Sequence, residues 1–239
     1  MSFQLVLDYL VSPAFFHGAL ITLLLTVTAL VFGIVAGLVI ALLQEARFAP
    51  LRGLALVYVW LFRGTPVLFQ IIFIYNVLPG FGIRLSAFLS AVIALSLNEG
   101  AYMAEILRSG LRAVTRGQRT AALALGLTRG GVMRHIVLPQ AMRIVLPPIG
   151  NQMIGMLKTS ALVSVVAVEE LLLVANQTAS ANFRYFEALS AAGIYYLALS
   201  TIFMAGQAWL ERTLDPKRSR ARKQRRTGLK ALIPTVDIR

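Results

Sequence analysis

The sequence predicts an all-α integral membrane protein of five transmembrane helices, with the N-terminus outside and the C-terminus cytoplasmic. Three observations carry this: few charges, several long apolar runs, and basic residues that alternate from one side of those runs to the other. Of 239 residues, 58% are hydrophobic and 14% charged, with a mean hydropathy of +0.75. A soluble domain carries about 25% charged residues, so the bilayer is the solvent for much of this chain.

Residues 1–16 form an external N-terminal segment. No Lys or Arg precedes Arg47, so the positive n-region of a cleavable signal peptide is missing and the first span is expected to stay. That span runs about His17 to Leu43. Ala19 to Leu43 holds no charged residue and gives roughly 37 Å of helix at ~1.5 Å per residue, enough to cross a ~30 Å hydrocarbon core with some tilt. Gly33 and Gly37, spaced G-x-x-x-G, allow close helix contact.

The second span, about Gly53 to Leu78, is interrupted by Arg63-Gly64-Thr65-Pro66. This is either a break that lets the helix bend or a charge-paired helix end. The third, about Leu85 to Leu107, carries Asn98, Glu99 and Glu105, the last spaced for an i,i+3 pair with Arg108. The fourth, about Ile144 to Val174, has Lys158 near its middle and Glu169-Glu170 near its outer end, where a solvated cap is expected. The fifth, about Ala188 to Leu210, closes the transmembrane domain of residues 17–210. Tyr195, Tyr196 and Trp209 fit as packing or interface anchors.

Orientation follows from the loops. The 44–52 loop has Arg47 and Arg52, the 108–143 loop seven Arg and no acid, and the chain after Trp209 ten Lys or Arg. On the other side, the first 16 residues have none, and the loops at Arg84 and Arg184 have one each. The positive-inside rule then sets both termini. The net charge of +13 therefore marks topology and contact with anionic membrane lipids, not nucleic acid. The basic tail, residues 211–239, is too charged to pack and is expected to be disordered or to lie on headgroups.

There are no cysteines, and His17 and His135 stand far apart without carboxylates at ligand spacing. No metal site or cofactor is expected. An intramembrane enzyme lacks a nucleophile–base pair within the spans.

The segment Gly117 to Pro139, GQRTAALALGLTRGGVMRHIVLP, is basic and rich in small residues. Ala121, Ala122, Ala124 and Gly126 give a short helix with a nearly bare face, and Gly126 belongs at its C-terminal end, where glycine supplies the left-handed cap. Arg129-Gly130-Gly131 is expected to turn the chain into a second short helix ending at Leu138-Pro139. From the residues alone, this elbow either lodges in a partner's cleft or merely joins two spans at the interface.

This segment resembles the signature loop of permease subunits of binding-protein-dependent ABC importers. The wider chain, about Gly18 to Leu210, resembles their polar amino-acid branch through Arg63-Gly64-Thr65-Pro66, Ala101-Tyr102-Met103-Ala104-Glu105-Ile106, Gly117-Gln118, Leu138-Pro139-Gln140-Ala141 and Leu146-Pro147-Pro148. The resemblance implies a type I ABC importer permease fold in a bacterial inner membrane. It implies an alternating-access pore of two permease subunits, cytoplasmic ABC ATPase subunits and a periplasmic solute-binding protein that delivers an amino acid. It assigns the ATPase-coupling loop to Gly117, Gln118, Thr120, Ala121, Ala122, Gly126, Ile136, Leu138 and Pro139; Thr120 stands where the family usually carries an acid. No Gly-Lys dipeptide occurs, so no P-loop of the usual form is present and ATP hydrolysis falls to another polypeptide.

Ionisable and polar groups at membrane depth face a cavity or a partner. Asn98 with Glu99, and Lys158 with Thr159 and Ser160, would supply acceptors for a substrate ammonium and donors for its carboxylate. Alternatively Glu99 and Lys158 pair within the bundle. An ion-coupled secondary transporter or channel would use them as coupling groups, but it leaves the 117–139 elbow idle.

Overall fold

The computed structural model describes residues 2–214; most of the basic tail lies outside the described residues. In chain order the helices are α1 (Phe3–Leu10), α2 (Pro13–Gln44), α3 (Ala49–Gly64), α4 (Val67–Asn76), α5 (Ala87–Ala113), α6 (Arg116–Ala124), α7 (Arg129–Val132), α8 (Leu138–Thr159), α9 (Leu171–Asn182) and α10 (Tyr185–Leu214). Tight 3-10 turns occupy Leu78–Phe81 and Ser160–Val166, and a wide π-turn occupies Met133–Val137. Among the described residues there is no strand.

Three helices, α2, α5 and α10, are each long and apolar enough to cross a membrane. Helices α3 and α4 pass that test only together, bent by 102° at the Thr65-Pro66 break. The bend has a direct cause. Pro66 has no N–H for the carbonyl of Phe62, four residues back. Two side-chain amides replace it: Asn98 Nδ2 donates to Phe62 O at 2.8 Å and Gln70 Nε2 at 3.0 Å.

The expected fourth span is not one helix. Helix α8 stops at Thr159, a 3-10 turn follows, Ala167 takes a left-handed conformation (φ 58°), and α9 restarts at Leu171. The segment Ser160–Val166, SALVSVV, is rich in serine and β-branched valine, which hold an α-helix weakly. Ser160 Oγ donates back to Leu157 O at 2.8 Å. Glu170, expected to be a solvated cap, is instead fully buried. Its carboxylate caps α9, accepting from the N–H of Leu172 (2.9 Å) and Leu173 (2.8 Å) and from the Tyr196 hydroxyl (2.8 Å). Thr22 Oγ1 accepts from the N–H of Leu171 at 3.1 Å. Backbone that is irregular at membrane depth must be satisfied by protein in this way.

The centre of the bundle is the α2–α5 contact, and it is close because of glycine. A Cβ on Gly37 would lie 2.4 Å from Met103 Cβ, one on Gly33 2.8 Å from Glu99 Cβ, and one on Gly100 2.9 Å from Ala36 Cβ. Around this contact Leu25, Ala29, Ile71, Leu95, Met156 and Val163 form the main buried core. Glu105 does not pair with Arg108. Its partner is Arg63 on α3, an inter-helix ion pair that local spacing does not reveal.

Candidate functional site: a polar cavity and a basic elbow

A cavity of about 630 Å³ opens where the α3–α4 bend meets α5 and α8, within the ~300–1,000 Å³ range of small-ligand sites. Its polar lining is Arg63, Thr65, Asn98, Glu99, Tyr102, Gln152 and Thr159. Helix α5 supplies Asn98, Glu99 and Tyr102 from adjacent turns. Helix α8 supplies Gln152, Gly155, Met156 and Thr159 at i, i+3, i+4 and i+7, one helical face. Glu99 is only 5% exposed, and its Oε1 is buried with no hydrogen-bond partner. The Arg63 guanidinium lies 5.1 Å from the centre of the Tyr102 ring and is charge-balanced by Glu105.

Of the residues expected to meet substrate, Asn98, Glu99 and Thr159 share this cavity. Asn98 has one amide proton committed to Phe62 O, so it also holds the bend. Lys158 lines a separate cleft with Tyr196, Leu197 and Ser200. Ser160 is buried and bonded to Leu157 O. The alternative of a direct Glu99–Lys158 pair is not what the structure shows: the two groups line different clefts. Arg63, Tyr102 and Gln152 were not expected in the cavity. Gln152 was findable, since it is a polar residue seven positions before Thr159 on the same helical face.

The elbow has its own small core of Val114, Ala122, Val132 and Val137, with Leu111, Leu127 and Ile136 packed against it. Ala122 points inward, whereas Gly117, Gln118, Thr120, Ala121, Ala124 and Gly126 are exposed, as are Leu138 and Pro139. Gly126 takes φ +87°, as its cap position requires. The N–H of Gly126 donates to Leu123 O (3.0 Å) and that of Leu127 to Ala122 O (3.1 Å), the Schellman pattern. Arg119 reaches back to the Leu111 carbonyl and ties α6 to the end of α5.

The turn lies at 125–128, not at Arg129-Gly130-Gly131. Those three residues open α7 under a Thr128 cap, whose Oγ1 accepts from the N–H of Gly131 at 3.1 Å. From there the chain stays helical through the π-turn into α8. The widened turn precedes Pro139, which has no N–H for the carbonyl of His135.

A bundle of apolar spanning helices around a polar cavity, with a separately folded basic elbow, defines a membrane transport subunit that works with a partner. The chain belongs to the family of binding-protein-dependent transport system inner membrane components, whose model matches residues 29–216. It is 38% identical to the arginine transport system permease protein ArtQ of Bacillus subtilis, over 84% of this chain and 93% of that protein. It is 37% identical to the glutamine transport system permease protein GlnP of Escherichia coli K12, with the same coverages. A crystal structure of an amino acid ABC transporter with histidines superposes at a TM-score of 0.83 and 38% identity, covering 89% of this chain and 99% of that one. The inward-facing MetNI methionine transporter matches in fold at a TM-score of 0.73 and 18% identity, covering 90% of this chain and 100% of that one. The chain is thus a multi-pass inner-membrane permease subunit, and membership of this family favours binding-protein-dependent transport over the ion-coupled alternative.

Proposed function

We propose that this chain forms the pore of an ATP-driven amino-acid importer. Its five-span topology has the N-terminus outside and the C-terminus cytoplasmic. A second permease subunit completes the pore, a solute-binding protein delivers the amino acid outside, and separate ATPase subunits grip the 117–139 elbow. The observation that carries this reading is the elbow itself. It has its own core, exposes a surface of small residues on α6, and continues through α7 and the π-turn into the helix that lines the cavity. ATPase closure displaces the elbow, and α5 and α8 carry that displacement to the cavity as a two-state switch. In the cavity, Glu99 and the Asn98 side-chain carbonyl receive the substrate ammonium, and Gln152 donates to its carboxylate; the Thr159 hydroxyl proton is held by Gly155 O. Lys158 and Ser160 lie outside it and make no contact in this reading.

The test is reconstitution and recovery. Proteoliposomes holding this chain, its ATPase, its binding protein and any second permease should show ATP-dependent uptake. This chain alone, under an ion gradient, should show none. Gly126→Trp should lose ATPase in a pull-down. Ala121→Trp, placed on the exposed face without backbone strain, should lose it too. Equal ATPase recovery from wild type and both variants would refute the docking role.

A further inference from the structure

Helix α1 has eight residues, about 12 Å at ~1.5 Å per residue, far too short to cross a ~30 Å core. It also precedes the part of the chain that the family model covers. Yet it is firmly held at the rim of the bundle, beside the turn from α9 to α10. Tyr195 Oη donates to Leu10 O at 2.7 Å, the N–H of Ser2 donates to Glu187 Oε1 at 3.0 Å, and Tyr9 stacks on buried Phe15 at 5.5 Å. Val6, with Tyr9 and Leu10, packs into a cluster with Ala188, Ala191 and Ala192 of α10.

The remaining surface of α1 divides into two sectors. Phe3 (78% exposed), Leu7 (48%) and Val11 (82%) are apolar and unpartnered; at 3.6 residues per turn they span about 80° of arc. Gln4 and Asp8, both exposed, occupy the next ~40°. Tyr9, Val6 and Leu10 fill the arc on the other side of Phe3, Leu10 lying only ~20° from it. A surface helix packed on a bundle needs one buried and one polar sector; here the apolar arc runs on past the buried positions, through Phe3 and Leu7 to the C-cap residue Val11, onto the outward side, which calls for a further apolar phase. The chain itself indicates which. Five residues after Val11 begins the outward stripe of α2, Phe16, Leu20, Leu24, Val27, Val31 and Val35, all exposed and repeating every three or four residues along a membrane span. That stripe lies on a helix long and apolar enough to span the membrane, and only Ser12 separates Val11 from the first residue of that helix.

We propose that α1 is an in-plane membrane anchor. Phe3, Leu7 and Val11 lie in the acyl–headgroup boundary, Gln4 and Asp8 face headgroup water, and the bonds to Glu187 and Tyr195 fix the α9–α10 turn at that level. The occupant of the exposed stripe is lipid, not a protein.

The chain has no cysteine, so single cysteines placed at 3, 4, 7, 8 and 11 can carry an environment-sensitive fluorophore without background. The permease complex, reconstituted in phosphatidylcholine vesicles, is quenched either with brominated acyl chains or with aqueous iodide. Labels replacing Phe3, Leu7 and Val11 should lose most of their emission to brominated lipid and little to iodide. Labels replacing Gln4 and Asp8 should show the reverse. Iodide quenching at all five positions, or the same pattern at Leu7 and Asp8, would overturn the proposal. So would shielding of the 3, 7 and 11 positions from both quenchers, which would place a second subunit or the binding protein on the stripe. A Val6→Cys label, silent to both quenchers, confirms that α1 is docked in the reconstituted protein; quenching there overturns the docked geometry.

Discussion

Replacing Gly37 with alanine adds one methyl group where α2 and α5 touch. That methyl would stand 2.4 Å from Met103 Cβ and 2.9 Å from the Ala104 backbone nitrogen, against 3.4–4 Å for ordinary contact. Neither neighbour is the end of a flexible side chain, so the helices themselves must part by about 1 Å. Overpacking of this kind costs ~1–3 kcal/mol, and alanine returns ~0.5–1 kcal/mol in a helix interior. The net loss is about 0–2.5 kcal/mol, or up to roughly 10 °C in unfolding temperature for a domain of this size. Gly53→Ala in α3 is the matched control, because a Cβ there meets nothing within 4 Å. It keeps only the helical gain and should unfold at or above wild type. Thermal unfolding of the three proteins in one lipid-like detergent gives the comparison. If Gly37→Ala unfolds no lower than Gly53→Ala, the close α2–α5 contact is not what holds the bundle.

The carbonyl of Phe62 has two amide donors, and Gln70 Nε2 also donates to Thr65 O and Thr65 Oγ1; Asn98→Leu should therefore lose less than Gln70→Leu, and the double variant, which orphans the Phe62 carbonyl, should lose ~1–3 kcal/mol more than their sum; strictly additive unfolding temperatures would contradict this. Glu170→Ala removes a buried cap and leaves the Tyr196 hydroxyl without its acceptor, a loss of at least ~0.5–2 kcal/mol. Glu170→Gln keeps one acceptor oxygen and should lose less, and equal losses would count against capping as the role of this carboxylate.

Much of this fold was legible because apolar runs and punctuation residues act locally. The runs at 17–43, 85–107 and 188–210 became α2, α5 and α10 with ends shifted by a few residues. Arg63-Gly64-Thr65-Pro66 did mark a bend, and Arg63 is also charge-paired, so both readings of that segment hold. Gly126 took the left-handed cap, and Gly33 and Gly37 sit in a close contact. The break inside the fourth span was missed because hydropathy sums over 144–174 and is blind to how serine and valine fold. Glu170, directly before the run Leu171-Leu172-Leu173-Val174, was a findable cap signal, as was Thr128 before Arg129-Gly130-Gly131. Helix α1 is too short for a periodicity test to separate from loop. The partition of Glu99 and Lys158 into separate clefts, and the pairing of Glu105 with Arg63, depend on how helices rotate against one another, which a single helix's spacing does not record.

The helical stretch from Arg129 to Thr159 has interruptions at two places, the π-turn at 133–137 and the Pro147-Pro148 pair. Each removes ladder hydrogen bonds, and each is a place where a helix yields under load. The stretch is therefore weakest at those two places, both of which lie between the elbow and the residues Gln152 to Thr159 on the cavity wall.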